Sequence, residues 1–401
     1  MANVEFLPQF PIPDNPFALF GILLLAGALA GELVRRVLNL PRITGYVLIG
    51  LTLGASGLNL LDTRMFDYMR VFFDIGLGLV LFELGRRLDL NWLRHDRWLA
   101  VLALAECLLS FGSMFTVLLW FGIEPLYATV AAAIGVSSSP AIVMLVAREL
   151  KAEGQITERA LNLVAINSVT AFVLTTMLLS WIHHEYHASW LIALLHPFYI
   201  LVGSFYAGFL ASVLVLMLAR WLGKQVELHL TLLLAMIIFL VGAAEALKLS
   251  VLMTLLTFGV LVRNMDQDHA LMSVDLGSFG QAFFIVLFVA TGAMLRIDNL
   301  ITGFGVAAGY IAARFVGKSI GVMCFAHLSG IRAGSGGLLS IALLPMSGVA
   351  LAMTYSAGKF YPAFNEKLSA IVLAAALILE LIGPLAVQFA LRSAKEARTA
   401  T

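Results

Sequence analysis

Charge is scarce in this sequence. Only 12% of its 401 residues are Asp, Glu, Lys or Arg, against about 25% in an ordinary soluble domain, while 61% are hydrophobic and the mean hydropathy is +0.96. A water-soluble globule is excluded. The 25 basic and 24 acidic residues nearly cancel, so neither the basic footprint of a nucleic-acid partner nor a solvating acidic tail is present. Cysteine is almost absent: Cys107 and Cys324 both lie in apolar runs, which excludes a disulfide framework and suggests no metal site. No glycine-rich phosphate loop follows a strand, and no nucleophile constellation is seen, so neither an enzyme nor a cofactor is expected. The opening MANVEFLPQFPIPDNPF has no basic n-region and no small-residue cleavage signal, and the first apolar stretch is therefore expected to stay in the protein.

What the chain has is long apolar runs. A spanning helix needs about 20 mostly apolar residues, and charged, Pro and Gly clusters divide the sequence into thirteen such stretches: 17–37, 43–61, 67–88, 98–121, 125–149, 157–182, 194–221, 227–247, 249–263, 277–296, 301–328, 335–357 and 366–392. The expected class is an all-α polytopic membrane protein, a single membrane transport domain over 1–401, transmembrane over 17–392, with no soluble regulatory domain. The least marked division lies at Lys248 and Ser250. Because Lys and Arg collect in cytoplasmic loops, a start outside the cell places 17 of them on the inner side and 6 on the outer. The N-terminus is thus expected outside and the C-terminus in the cytoplasm of a cell membrane, that of a bacterium. The remaining two, Arg314 and Lys318, fall near the middle of a span.

Two spans are interrupted at their centres. The fifth contains Gly135-Val136-Ser137-Ser138-Ser139-Pro140 and the twelfth Leu344-Pro345-Met346-Ser347-Gly348, with the prolines 205 residues apart. Each is second in a triplet, 98–182 and 301–392, and the odd offset of seven spans inverts one triplet relative to the other. Broken helices at matching positions of inverted repeats mark a transporter's substrate site, because unpaired backbone groups in lipid must line a cavity or hold an ion.

The residues around these breaks resemble the monovalent cation:proton antiporter superfamily, especially its bacterial potassium-efflux and sodium/proton branches. Pro41-Arg42-Ile43-Thr44-Gly45-Tyr46 with Gly50, Gly54 and Ser56-Gly57-Leu58 is similar to the family's second helix. Gly76 through Leu81-Phe82-Glu83-Leu84-Gly85 resembles the third, and Ser137-Ser138-Ser139-Pro140-Ala141-Ile142-Val143 the first broken helix. Phe283-Phe284 through Gly292-Ala293-Met294 and Glu380-Leu381-Ile382-Gly383-Pro384 complete the resemblance over roughly 17–392. It implies about thirteen helices in inverted repeats, two broken helices crossing at mid-membrane, a homodimer, and exchange of Na⁺ or K⁺ for protons by alternating access.

The sequence departs from that family where the chemistry is concentrated. The sixth helix of working members carries an Asp that binds cation and proton in turn; here the stretch reads Ala165-Ile166-Asn167-Ser168-Val169-Thr170. A serine hydroxyl can coordinate a cation but does not change charge near neutral pH. Gly348-Val349 stands where many relatives have Gly-Glu, and Leu163 where the electroneutral branch has Glu. The basic partner survives in Ala312-Ala313-Arg314-Phe315-Val316-Gly317-Lys318, whose two cations are four residues apart and share a helix face.

The expected ion-binding set is therefore Asn167, Ser168, Ser137, Ser138, Ser139 and Ser347, with Arg314 or Lys318 as the basic partner. Of the acids left in the spans, Glu32, Asp74, Glu83 and Glu245 fit helix ends, whereas Glu106 and Glu380 are candidate proton carriers, Glu106 being the preferred neutraliser of Arg314. His183, His184, Glu185 and His187 cluster in an outer loop without a metal-binding spacing. Two other readings stay open: an ion transporter or channel uncoupled from protons, with an anion favoured by the two cations, and a non-transporting sensor subunit.

Overall fold

Proline and the caps beside it decide where the helices stop. The computed structural model describes residues 15–60, 63–90, 96–186, 190–266, 271, 276–294, 297–331, 333–346, 348–360 and 362–398. Its helices in chain order are α1 (Pro16–Leu38), α2 (Arg42–Leu53), α3 (Thr63–Arg87), α4 (Arg97–Trp120), α5 (Pro125–Gly135), α6 (Pro140–Glu149), α7 (Gln155–Tyr186) and α8 (Trp190–Leu222). They are followed by α9 (Val226–Ala246), α10 (Val251–Met265), α11 (Leu276–Met294), α12 (Ile297–Ala326), α13 (Ala333–Ala342), α14 (Gly348–Phe360) and α15 (Pro362–Ser393). No strand occurs among the described residues.

Among the described residues eight stretches are long and apolar enough to cross a membrane, with shorter apolar helices at Arg42–Leu53, Val251–Met265 and Gly280–Met294. The faint division between the eighth and ninth predicted stretches is real. Leu247 ends α9, Lys248 takes a left-handed φ of 54°, and the Ser250 hydroxyl caps α10 by accepting from Met253 N–H at 3.2 Å.

Both expected breaks are present. Pro140 has no N–H and its ring crowds the carbonyl four residues back, and the helix entering at Pro125 ends at Gly135, before it. The residue before a proline is pushed to extended backbone. Ser139 accordingly sits at φ −78°, ψ 107° and becomes the N-cap of α6, its hydroxyl accepting from Ile142 N–H at 3.3 Å. Pro345 lies in the second break, after α13 ends at Ala342 and before α14 starts at Gly348. The broken stretch Pro125–Glu149 lies at the centre of the protein: 94% of its most apolar window is buried, against 17% for α1, whose apolar side faces outward.

The helices pack in two groups. In one, α4 runs along α12, and α15 packs on α12, α13, α14, α5 and α6, with α7 against α5. In the other, α1, α2, α3 and α8 to α11 pack on one another. Close approach of α4 and α12 depends on Gly317 and Gly321. A Cβ at Gly321 would lie 2.4 Å from Glu106 Cα, and one at Gly317 2.5 Å from Ser110 Cα. Small residues spaced by four allow such contact between helices in lipid, and here they set Glu106 against Lys318. Gly50 on α2 and Gly54 just past its end lie against Val289 and Ala293 of α11, and Gly292 of α11 lies against Val47, in the same way.

Candidate ion site

The four half-helices meet where Ser138 and Ser139 pass Leu343 and Pro345. Ser139 N–H donates to the Pro345 carbonyl at 2.9 Å, and the Ser138 hydroxyl donates to the Leu343 carbonyl at 3.0 Å. Arg314, fully buried on α12, fills the crossing. Its Nε donates to the Gly135 carbonyl at 2.8 Å and its Nη2 to the Ser137 carbonyl at 2.7 Å, while Nη1 reaches the Leu344 carbonyl. Longer contacts of 3.4 Å join Nη2 to the Ser138 hydroxyl and the carbonyls of Leu343 and Pro345. These carbonyls end α5 and α13, so one guanidinium lies at the negative dipole ends of both half-helices. The planar fork of donors makes this possible, and a lysine's single ammonium would not span it.

One turn along the same face, Lys318 donates its ammonium to Glu106 and to the Val136 carbonyl at 3.1 Å. Lys318 and Glu106 are both wholly inaccessible. The sequence expectation that Glu106 neutralises Arg314 is corrected here. Glu106 pairs with Lys318, and Arg314 is satisfied by backbone carbonyls. The reason is register: Gly321, three residues beyond Lys318, is what lies against Glu106.

Asn167 and Ser168, both buried on α7, close the site from a third side. Asn167 Nδ2 donates to the Ser138 hydroxyl at 3.4 Å, and Ser168 Oγ lies 2.8 Å from the Val164 carbonyl and 3.2 Å from that of Ser138. Cys107 links the parts. Its thiol donates to Asn167 Oδ1 at 3.2 Å and lies 3.7 Å from the second carboxylate oxygen of Glu106. Ser137, Ser138, Ser139, Asn167, Ser168, Arg314, Lys318 and Glu106 thus converge on one buried cluster.

The Ser137 hydroxyl turns back to the Ile134 carbonyl at 2.7 Å. Ser347 lies outside the described residues, as do the side chains of His183, His184, Glu185 and His187. Glu380 is buried on α15 and makes no hydrogen bond through either carboxyl oxygen. No group of three or more His, Cys, Asp or Glu residues suited to a metal occurs among the described residues.

Two members of the site were not singled out beforehand. Cys107 reads from sequence as an apolar filler, and its only signal is that it follows Glu106. Tyr310 donates its hydroxyl to the Ala131 carbonyl at 2.7 Å, and the i, i+4, i+8 spacing of Tyr310, Arg314 and Lys318 marks it as part of the same helix face.

Crossed half-helices around buried fixed charges, in an all-helical membrane protein, define an ion-transporting membrane domain rather than an enzyme. Residues 21–393 match the transmembrane family of sodium/hydrogen exchangers, and the chain belongs to that family, within the monovalent cation:proton antiporter superfamily. Its fold is that of the sodium proton antiporter MjNhaP1 from Methanocaldococcus jannaschii. The structure of that protein at pH 8 superposes with a TM-score of 0.70 over 94% of this chain and 96% of the other, at 18% identity. An electron-microscopy structure of the same antiporter gives 0.70 over 94% and 95%, at 17% identity. Among curated relatives, the Na(+)/H(+) antiporter NhaS5 of Synechocystis is 36% identical over 87 residues, which are 22% of this chain and 12% of that protein.

Proposed function

We propose that the protein exchanges a monovalent cation, Na⁺ or K⁺, for protons, with Glu106 in place of the missing acid on α7. Family membership and the antiporters it is similar to support exchange of this kind. The observation that carries the assignment of Glu106 is its ion pair with Lys318 beside Asn167 and the crossing. A carboxylate there can hold an ammonium, a proton or a metal cation, but not two of them favourably, and that exclusivity couples the fluxes. Cation ligands come from the Glu106 oxygen that Lys318 does not hold, Asn167 Oδ1 and the hydroxyl oxygens of Ser138 and Ser168. Ser137 and Ser139 shape the break between α5 and α6 around them. Neither buried base is left open to an anion, because Arg314 is held by helix-end carbonyls and Lys318 by Glu106.

The working unit is read as a homodimer in a bacterial inner membrane, N-terminus outside, with the triplets 98–182 and 301–392 as the transporting core. The test is flux in sealed vesicles under an imposed pH gradient. Dissipation of the gradient by Na⁺ or K⁺ supports the reading, and chloride-dependent current or silence overturns it.

A further inference from the structure

Glu380 is the second acid at mid-span, and nothing in the cluster around Glu106 uses it. It lies close to the midpoint of α15, which runs from Pro362 to Ser393, and is fully buried with neither carboxyl oxygen hydrogen-bonded. Three residues on, Gly383 packs directly on Pro345: a Cβ there would meet Pro345 Cβ at 2.9 Å. Residues three apart share a helix face, so Glu380 stands on the side of α15 that meets the crossing.

The elements packed against α15 are α2, α5, α6, α12, α13 and α14. Their charged side chains among the described residues are engaged elsewhere: Arg42 with Glu32, Arg148 with Glu83, Glu149 with the Arg42 backbone, Arg314 with the breaks and Lys318 with Glu106. Their tyrosines, Tyr46, Tyr127 and Tyr310, make no bond to Glu380 either, and Tyr310 bonds Ala131. This pocket suits the neutral acid and not the anion, since a buried charge needs a partner or donors. Nor does Glu380 hold the fold together by any bond, so a structural acid is a poor account of it.

We infer that Glu380 is a second protonation site of the transport cycle, loaded in the conformation described and emptied in another, so that two protons move per cation. The inference rests on the exchange reading with Glu106 as the first site. Its test is the balance point of exchange in vesicles, with the membrane potential held at zero by equal thiocyanate on both sides. At balance the cation gradient of the wild type equals the square of the proton gradient, so a tenfold proton gradient holds a hundredfold cation gradient. In Glu380→Gln the same proton gradient holds only a tenfold cation gradient, and Glu380→Asp restores the square.

A wild type that balances one to one, or a Glu380→Gln variant that keeps the square, overturns the inference. The wild-type measurement decides even where the Gln variant does not fold. Absence of any cation-dependent proton flux in the wild type would instead overturn the exchange reading itself, so the two failures are distinguishable.

Discussion

Separating the Glu106–Lys318 pair is the most direct perturbation of the site. Both side chains are inaccessible, and apart from each other Lys318 has only the Val136 carbonyl at 3.1 Å. Removing one member of a buried pair strands the other charge, at a cost of about 3–5 kcal/mol, whereas replacing both with apolar groups of similar volume is often near neutral. Glu106→Gln should sit at the lower end of that range because its amide oxygen still accepts from the ammonium. Glu106→Leu and Lys318→Met alone should each cost roughly 3–5 kcal/mol, and the double variant far less than their sum. The coupling energy is then several kcal/mol, beyond the ordinary range of about 0.5–3 for neighbours.

Thermal stability of the detergent-solubilised protein reads the four corners of the cycle, and proton-coupled cation flux in vesicles is measured on the same samples. The double variant is the informative one, folded yet without the carboxylate that cation and proton share, and it should carry no pH-driven cation exchange. Additive losses would refute the pairing, and a folded double variant that still exchanges cations for protons would refute the role given to Glu106.

Three further substitutions probe the frame. Arg314→Lys keeps the charge but cannot reach the carbonyls of Gly135, Ser137 and Leu344 together. With each buried unpaired carbonyl costing about 1–3 kcal/mol, the variant should lose several kcal/mol, seen as a collapse of monodisperse protein in size-exclusion chromatography. Gly321→Val places a branched side chain 2.4 Å from Glu106 Cα. Overpacking of this kind costs about 1–3 kcal/mol, and flux should fall with it because α4 and α12 are forced apart, whereas wild-type flux would contradict the close approach. Glu396, whose carboxylate accepts from Ile156 and Thr157 N–H at 2.8 Å each, caps α7 from the far end of the chain. Glu396→Ala should cost about 1 kcal/mol, measured as a small loss of thermal stability, with exchange unchanged since the cap lies three turns from Asn167.

Much of this arrangement was legible in the sequence because it follows from local rules. Proline at 140 and 345, each beside serine and glycine, marks a break that Pro197 and Pro384 do not make in α8 and α15, and charges at 314 and 318 must find partners in lipid. The partners themselves were not legible. Glu106 stands nearer to Arg314 than to Lys318 under the 205-residue offset, since that offset pairs Arg314 with Leu109. Which cation it takes is set by the packing of Gly317 and Gly321 on α4, a register that helical periodicity does not carry. Cys107 was hidden for a related reason: an apolar-looking residue acquires a polar role only when a third helix, α7, brings Asn167 within 3.2 Å.

The crossing also explains why a sequence repeat should end in contact. Ser138 and Leu343 are 205 residues apart, the same spacing as the two prolines, so the repeat makes them equivalents. Equivalent positions of two inverted halves touch only where they meet the pseudo-two-fold axis. The two breaks join at the Ser138–Leu343 bond, and the Arg314 guanidinium lies 3.4 Å from both partners. A single cation serving two symmetric helix ends needs to be supplied only once, and the counterpart of Arg314 on α4 is accordingly the uncharged Leu109. That asymmetry leaves the α4 side free to carry the acid, and Glu106, one turn away, occupies it.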